Sequence, residues 1–261
     1  MSVVRSVCVS LLILLSSFSC IAEEIPSIAA AANIKFALDK IATQFTQDTG
    51  KQVRISYGSS GNLVTQIRHG APFELFLSAD DKYIYQLHKL GVVTSDGALY
   101  AIGRLAIAAP KLSPLTLDVS LNGLKDLLAQ GKLTRFAIAN PDHAPYGERA
   151  RELLKNMGLW EEIESHLIYG ENVSQAAQFA LSGSTDGGIV ALSLAIAPQF
   201  KAAGHFVALP DALYSPMNQR MVLTKKAGET AKLFYQYLQE DRARDIFFEF
   251  GFGLPPQAEE Q

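Results

Sequence analysis

The chain predicts a two-lobed α/β protein in which the second lobe is inserted into the first. Three observations point there. Short apolar runs alternate with amphipathic segments along the chain after residue 24, they fall into two successive sets, and a last strand-like run at 217–224 returns after the second set has ended. Strands that alternate with helices build parallel sheets with helices on both faces, so each lobe is expected to be a mainly parallel sheet flanked by helices. The composition agrees. With 261 residues, 48% hydrophobic and 19% charged, the chain has the makings of a packed interior rather than a disordered coil, and its length allows two domains.

In the first set, residues 25–31 read as a buried strand, and Ile34, Leu38, Ile41 and Phe45 then fall at helical spacing up to a stop at Gly50. A strand at 52–57 leads into a helix at 63–69 that Gly70 ends. A strand at 73–78 precedes a helix carrying Tyr83, Leu87 and Leu90, with Asp80-Asp81 as its cap and Gly91 as its stop. The apolar run 99–109 is long enough to connect the lobes. The second set has a helix at 121–129, a strand at 135–139, a helix at 148–157, a strand at 166–169, a helix at 174–181, and strands at 188–191 and 205–209. After the return strand, helices at 231–238 and 242–248 close the chain. The implied division is 25–103 with 214–261 for the first lobe and 104–213 for the second. Trp160 and the phenylalanines at 247, 248, 250 and 252 read as packing residues.

The first 22 residues differ from the rest. Arg5 is their one charge, residues 7–21 are a short apolar run, and Ala22 ends the segment. About fifteen apolar residues fall short of the roughly 20 that span a bilayer, and the pattern is that of a secretory signal peptide. Cleavage after Ala22 would remove both cysteines, Cys8 and Cys20, and leave 22 basic against 26 acidic residues, a thiol-free chain suited to an oxidising compartment. Acylation of Cys20 as a lipoprotein is the alternative, disfavoured by the bulk of Phe18 and by the lack of a Leu three residues before the cysteine.

In open α/β sheets ligands bind at the carboxyl ends of strands, so the strand-to-helix junctions are where chemistry is expected. Four are informative: Ala29 to Asn33, Tyr57-Gly58-Ser59-Ser60-Gly61-Asn62, the turn-rich Asn140 to Gly147, and Tyr169 to Ser174. Asn33 is expected to cap the first helix. A helix start carries orphan N–H groups and about half a positive charge, which favours an anion. No Lys or Arg stands at the candidate contact positions, so the pattern points to a dianion held by neutral donors. Ser, Asn and Gly also cap helices that bind nothing, and composition leaves both readings open.

Other chemistries lack their residues. A net charge of −3 without a basic block gives nucleic acid no footprint. Gly58-Ser59-Ser60-Gly61 has no Gly-Lys-Ser/Thr after it and is not a phosphate loop; it is not a nucleophile elbow either. The five histidines, at 69, 88, 143, 166 and 205, show no metal-ligand spacing and are expected at the surface. Neither a catalytic set nor a cofactor motif is present, and direct metal coordination is not expected.

At these same residues the chain resembles the periplasmic molybdate-binding proteins of ABC importers, the ModA family. The resemblance runs from about Ile25 to Leu254. It is carried by Ala30-Ala31-Ala32-Asn33 with Ile41-Ala42-Thr43-Gln44-Phe45, by Gly58-Ser59-Ser60-Gly61, and most specifically by Gly70-Ala71-Pro72-Phe73-Glu74-Leu75-Phe76-Leu77-Ser78-Ala79-Asp80. Pro145-Tyr146-Gly147, Glu171-Asn172-Val173 and the ending around Ile246-Phe247 and Phe250-Gly251-Phe252 complete it. The resemblance implies the two-lobed periplasmic solute-binding fold of type II, which closes on its ligand. It implies a receptor for molybdate and tungstate that acts as a monomer, serves a membrane permease, and is not an enzyme. The alternatives are another oxyanion, such as sulfate or phosphate, or an enzyme on the same scaffold. Carried over by position, Asn33, Ser60, Tyr146 and Val173 would bind the oxyanion, with Ala32 and Ser59 as weaker candidates. One branch of the family places a Tyr after its Gly-Ile-Val strand. Here Ala191 follows Gly188-Ile189-Val190, and Tyr146 is expected to supply the missing hydroxyl.

Overall fold

The computed structural model describes residues 25–255; the expected signal peptide and Cys20 lie outside them. Among the described residues, ten strands form two five-stranded sheets. The first holds β1 (Ser27–Ala31), β2 (Arg54–Gly58), β3 (Phe73–Leu77), β4 (Ala98–Gly103) and β10 (Met217–Leu223), in the order β2-β1-β3-β10-β4. The second holds β5 (Leu105–Pro110), β6 (Phe136–Ala139), β7 (Leu167–Gly170), β8 (Gly187–Ala191) and β9 (Gly204–Ala208), in the order β7-β6-β8-β5-β9.

Both sheets are mixed rather than mainly parallel. In each, the three strands joined through helices pair in parallel, β2-β1-β3 and β7-β6-β8. The remaining two pairings of each sheet are antiparallel. The reason lies in the crossings: β10 returns from the second sheet and β5 enters from the first, so neither follows the helical crossover that keeps strands parallel. The long apolar run at 99–109 accordingly splits at Arg104 into β4 and β5, which belong to different sheets.

Helices cover both faces of the first sheet, which explains its uninterrupted apolar strands. In β1 and β3, neighbouring residues face opposite ways: Ile28, Ala30, Leu75 and Leu77 join one buried cluster, while Ala29 and Phe76 join the other. The first cluster is closed by α1 (Lys35–Thr49), α10 (Glu229–Tyr237) and α11 (Asp241–Glu249). There Phe45 meets Phe234 and Tyr237 edge-on, with ring centroids 5.0 and 5.3 Å apart, a favoured aromatic geometry. Phe247 and Phe252 pack here as expected, whereas Phe248 is exposed. The second cluster is closed by α2 (Ser60–Arg68) and α3 (Asp81–Lys89), through Leu63, Ile67, Ile84 and Leu87. Gly50 ends α1 in the left-handed conformation, φ 73°, which glycine adopts without steric cost.

The second sheet is covered by α4 (Asn122–Ala129), α5 (Pro145–Asn156) and α7 (Val173–Leu181), with short helices α6 (Trp160–Ile163), α8 (Leu192–Ala195) and α9 (Pro198–Ala203). Two boundaries differ from expectation in ways that matter for function. α5 starts at Pro145 rather than at 148, because proline at the first helical position needs no N–H partner; Tyr146 therefore sits in the first turn. Asn33 caps nothing: it lies inside a 3-10 turn, Ala32–Ile34, with no side-chain cap bond. Among the described residues no helix is long and apolar enough to cross a membrane.

Candidate functional site

The carboxyl ends of the two sheets face each other, and the four junctions singled out above meet there. Their residues line one small cavity between the two sheets. From the first sheet come Ala31, Ala32 and Asn33 at the end of β1, Gly58, Ser59 and Ser60 at the end of β2, and Ala79 after β3. From the second come Ala144, Pro145 and Tyr146 after β6, and Asn172 and Val173 after β7. All six candidates, Asn33, Ser60, Tyr146, Val173, Ala32 and Ser59, line this space, and none of the lining residues carries a charge. Ala191 does not line it; it ends β8, paired with Leu105.

Three helix N-termini converge on the cavity. Ser60 is the first residue of α2, Tyr146 the second of α5 and Val173 the first of α7. The amides of Ser60 and Val173 precede any intrahelical acceptor, so they are orphan donors by position. Side chains tidy the rest. Asn172 caps α7 by accepting from Ser174 and Gln175 amides at 3.0 and 3.1 Å. The Ser60 hydroxyl accepts the Ala79 N–H at 3.0 Å, which leaves the hydroxyl's own proton free to donate. The small residues around it keep side chains from shielding these groups.

Asn33 and Tyr146 meet across the lobes. Asn33 Nδ2 donates to the Tyr146 hydroxyl at 3.3 Å and to Gln219 Oε1 at 3.0 Å, and the Asn33 carbonyl accepts from the Ser193 hydroxyl at 2.8 Å. Asn33 Oδ1 is buried without a partner. Burial pushes the Tyr146 phenol well above its ordinary range, against the lowering effect of the Gln219 and Asn33 hydrogen bonds, so it is a neutral O–H group. Ser59 is committed elsewhere: its hydroxyl lies 3.0 Å from His143 Nδ1.

The rim is polar and interlocked. The Gly61 amide donates to the His143 carbonyl at 3.0 Å. Arg149 pairs with Asp80 at 3.0 Å, Lys82 with Glu148, and Asn62 donates to Glu171. Each of these joins a residue on the first sheet's side to one on the second's, so the structure is a closed clamshell. Burial raises Asp80 above the usual carboxylate range, opposed by the Lys82 amide and by the Lys82 and Arg149 charges.

Several residues of this site lie outside the sequence-based set. His143 is a rim residue joining the two lobes, not a bystander at the surface. Gln219 and Tyr100 stand behind the cavity wall, and Gly103 makes space for Gln219 and the Tyr146 hydroxyl. Gln219 carried a readable signal: with Met217 and Met221 it shares the inward parity of β10, where a polar side chain needs partners.

The profile of the bacterial extracellular solute-binding proteins matches residues 26–253. The chain belongs to that family. Among related solute-binding proteins, the molybdate-binding protein ModA of Azotobacter vinelandii is 36% identical over 230 residues, covering 87% of this chain and 89% of that protein. The molybdate-binding protein ModA of Rhodobacter capsulatus is 35% identical over 227 residues, covering 86% of each. The solved Azotobacter vinelandii periplasmic molybdate-binding protein superposes with a TM-score of 0.80 at 32% identity, covering 88% of this chain and all of that one. The two-lobed solute-binding fold is thus common to this chain and its relatives. Among the described residues, no group of three or more His, Cys, Asp and Glu is placed to hold a metal ion.

Proposed function

We propose that this protein is a periplasmic receptor that captures molybdate, and tungstate, between its lobes and hands it to the membrane permease of an ABC importer. The observation that carries the reading is the convergence of uncharged N–H and O–H groups, from both lobes, on one interlobe cavity without a charged wall. Taking a dianion out of water is costly, and preorganised dipoles that cost no reorganisation can replace its water shell. The relatives named as molybdate-binding proteins support the ligand class.

In this reading Ser60 gives its hydroxyl and amide, Val173 its amide, and Asn33 and Tyr146 a donor from their shared cluster. Ala32 and Ser59 shape the wall, Ser59 chiefly by holding His143. Residues 25–103 with 214–261 act as one lobe and 104–213 as the other. The receptor works as a monomer, without catalysis or a resident cofactor, and is exported after cleavage behind Ala22.

Calorimetric titration of the ligand-free protein with molybdate, tungstate, sulfate and phosphate tests the ligand. Tight binding of molybdate and tungstate with weak binding of the other two is expected; preference for sulfate or phosphate would reassign the receptor, and binding of none would reject it. Mass spectrometry of the mature N-terminus separates cleavage after Ala22 from a lipid on Cys20.

A further inference from the structure

Behind the cavity wall, Gln219 of β10, wholly buried, ties four side chains into one polar cluster. Its Nε2 donates to the Tyr146 hydroxyl at 3.1 Å. Its Oε1 accepts from Asn33 Nδ2 at 3.0 Å and lies 3.0 Å from the Tyr100 hydroxyl. Tyr100 is in turn 3.1 Å from the Ser78 carbonyl. The fit is close: a Cβ at Gly103 would lie 2.4 Å from Gln219 Nε2 and 2.6 Å from the Tyr146 hydroxyl.

Following the protons exposes a mismatch. Tyr100 has one proton for two acceptors. The Tyr146 oxygen receives the N–H groups of Asn33 and Gln219 and the backbone amide of Arg104, so its own proton has no acceptor inside the cluster. Asn33 Oδ1 has no donor. From a dianion's standpoint the cluster thus offers one proton, on Tyr146, and one lone pair, on Asn33, side by side. Turning both carboxamides over together exchanges N and O in each and moves no heavy atom off its position. Gln219 Nε2 then donates to Tyr100 and to Asn33 Oδ1, Tyr100 donates to Ser78, and Tyr146 donates to Gln219 Oε1. Each proton on Gln219, Tyr100 and Tyr146 then has one acceptor, the Tyr146 oxygen keeps the Arg104 amide as its donor, and the group left over on Asn33 is now an NH2.

We propose that Gln219 is a positioning residue that sets the hydrogen-bond polarity of the cavity, so that the Asn33–Tyr146 cluster presents a bound oxyanion with a proton and no lone pair. The consequence is specificity. A fully deprotonated dianion is satisfied, whereas an oxyanion carrying a proton, such as hydrogen phosphate, finds nothing to accept it; an unpaired buried polar group is a strong basis for rejection. Gln219 can do this because one group supplies donor and acceptor at once. Among the described residues, the titratable groups in hydrogen-bond contact with it are the phenols of Tyr100 and Tyr146, both held neutral by burial. The inference rests on the oxyanion-receptor reading and names how its site selects.

The test compares the wild type with Gln219→Glu and Gln219→Met, titrated with molybdate and with phosphate from about pH 8 to about pH 6, where a buried glutamate with a raised pKa takes up its proton and molybdate remains a dianion. Wild-type affinity for molybdate should be level across this range. Gln219→Glu should lose about tenfold or more at the alkaline end, the scale of one charged hydrogen bond. It should recover on acidification, because a protonated carboxyl again gives one donor and one acceptor. Gln219→Met should lose affinity at both ends and bind molybdate over phosphate less selectively. A Glu variant with the same loss at both ends, or with none, would overturn the proposal, since a packing role predicts no recovery. If the Glu variant fails to melt cooperatively, Tyr100→Phe takes its place: a reduced molybdate-to-phosphate ratio supports the proposal and an unchanged ratio refutes it. Failure of the wild type to bind any oxyanion would instead reject the receptor reading.

Discussion

The amide of Gly61 donates to the carbonyl of His143 across the seam between the lobes at 3.0 Å, and a methyl group on Gly61 would come within 2.8 Å of that same oxygen. The contact exists only when the clamshell is shut. Gly61 lies in the first turn of α2, where alanine in place of glycine favours the helix by up to about 1 kcal/mol. Gly61→Ala should therefore leave the melting temperature level or raised, yet hold the lobes apart. We expect the affinity for molybdate to fall about tenfold or more, with less compaction on ligand addition in solution scattering. Wild-type affinity in this variant would show that closure does not need the contact.

Ser60 Oγ already accepts from Ala79, so its proton is the one it can give to a ligand. Ser60→Ala removes that donor and leaves the Ala79 amide unpaired. A hydrogen bond to a charged group contributes about 1.5–3 kcal/mol, and the calorimetric dissociation constant should rise roughly ten- to a hundredfold. An unchanged constant would remove Ser60 from the binding set.

Val173 would act through its backbone. Val173→Ala keeps the amide at the start of α7 and should bind molybdate with near-normal affinity, while a buried side chain lost from the wall lowers stability by about 1 kcal/mol. Chemical denaturation and calorimetry on the same sample separate the two effects. A large affinity loss would instead assign the side chain a part in shaping the cavity.

Asp80 sets a pH dependence. Burial is the largest influence on it and raises its pKa above the ordinary 3.8, so the folded chain takes up this proton at a higher pH than the unfolded chain. A raised carboxyl makes stability fall as pH rises between the unfolded and folded values, with the cost fully present above the folded one. Asp80→Asn lacks this ionisation. The wild type should therefore gain on the variant as pH is lowered from neutrality toward 3.8, read as urea midpoints of both proteins. A difference that moves the other way would mean that the Arg149 ion pair, not burial, governs this group.

Much of the architecture is legible in the chain because its determinants are local. The helices Lys35–Thr49 and Asp81–Lys89 follow from apolar spacing and glycine stops, and the four junctions follow from small and hydroxyl residues between a strand and a helix. Where local rules mislead, a distant partner is the cause. The run at 99–109 looks continuous, but Arg104 marks the passage from one sheet to the other. Asn33 looks like a cap, but its amide is drawn to Tyr146 and Gln219, 113 and 186 residues away. His143 looks like a surface residue, but it meets Ser59, 84 residues before it.

By itself the sequence determined that there would be two α/β lobes, that donors without charge would gather at their strand ends, and that the chain resembles a family of oxyanion receptors. Hydrophobic periodicity and turn chemistry are properties of neighbours along the chain, so they can be read there. Only the tertiary structure decided that three helix N-termini share one cavity, that Arg149 closes on Asp80, and that Gln219 stands where it can direct the protons of Asn33 and Tyr146. Hydrogen bonds and ion pairs depend on distances of about 3 Å, and between residues a hundred positions apart those distances are set by how the two sheets pack face to face.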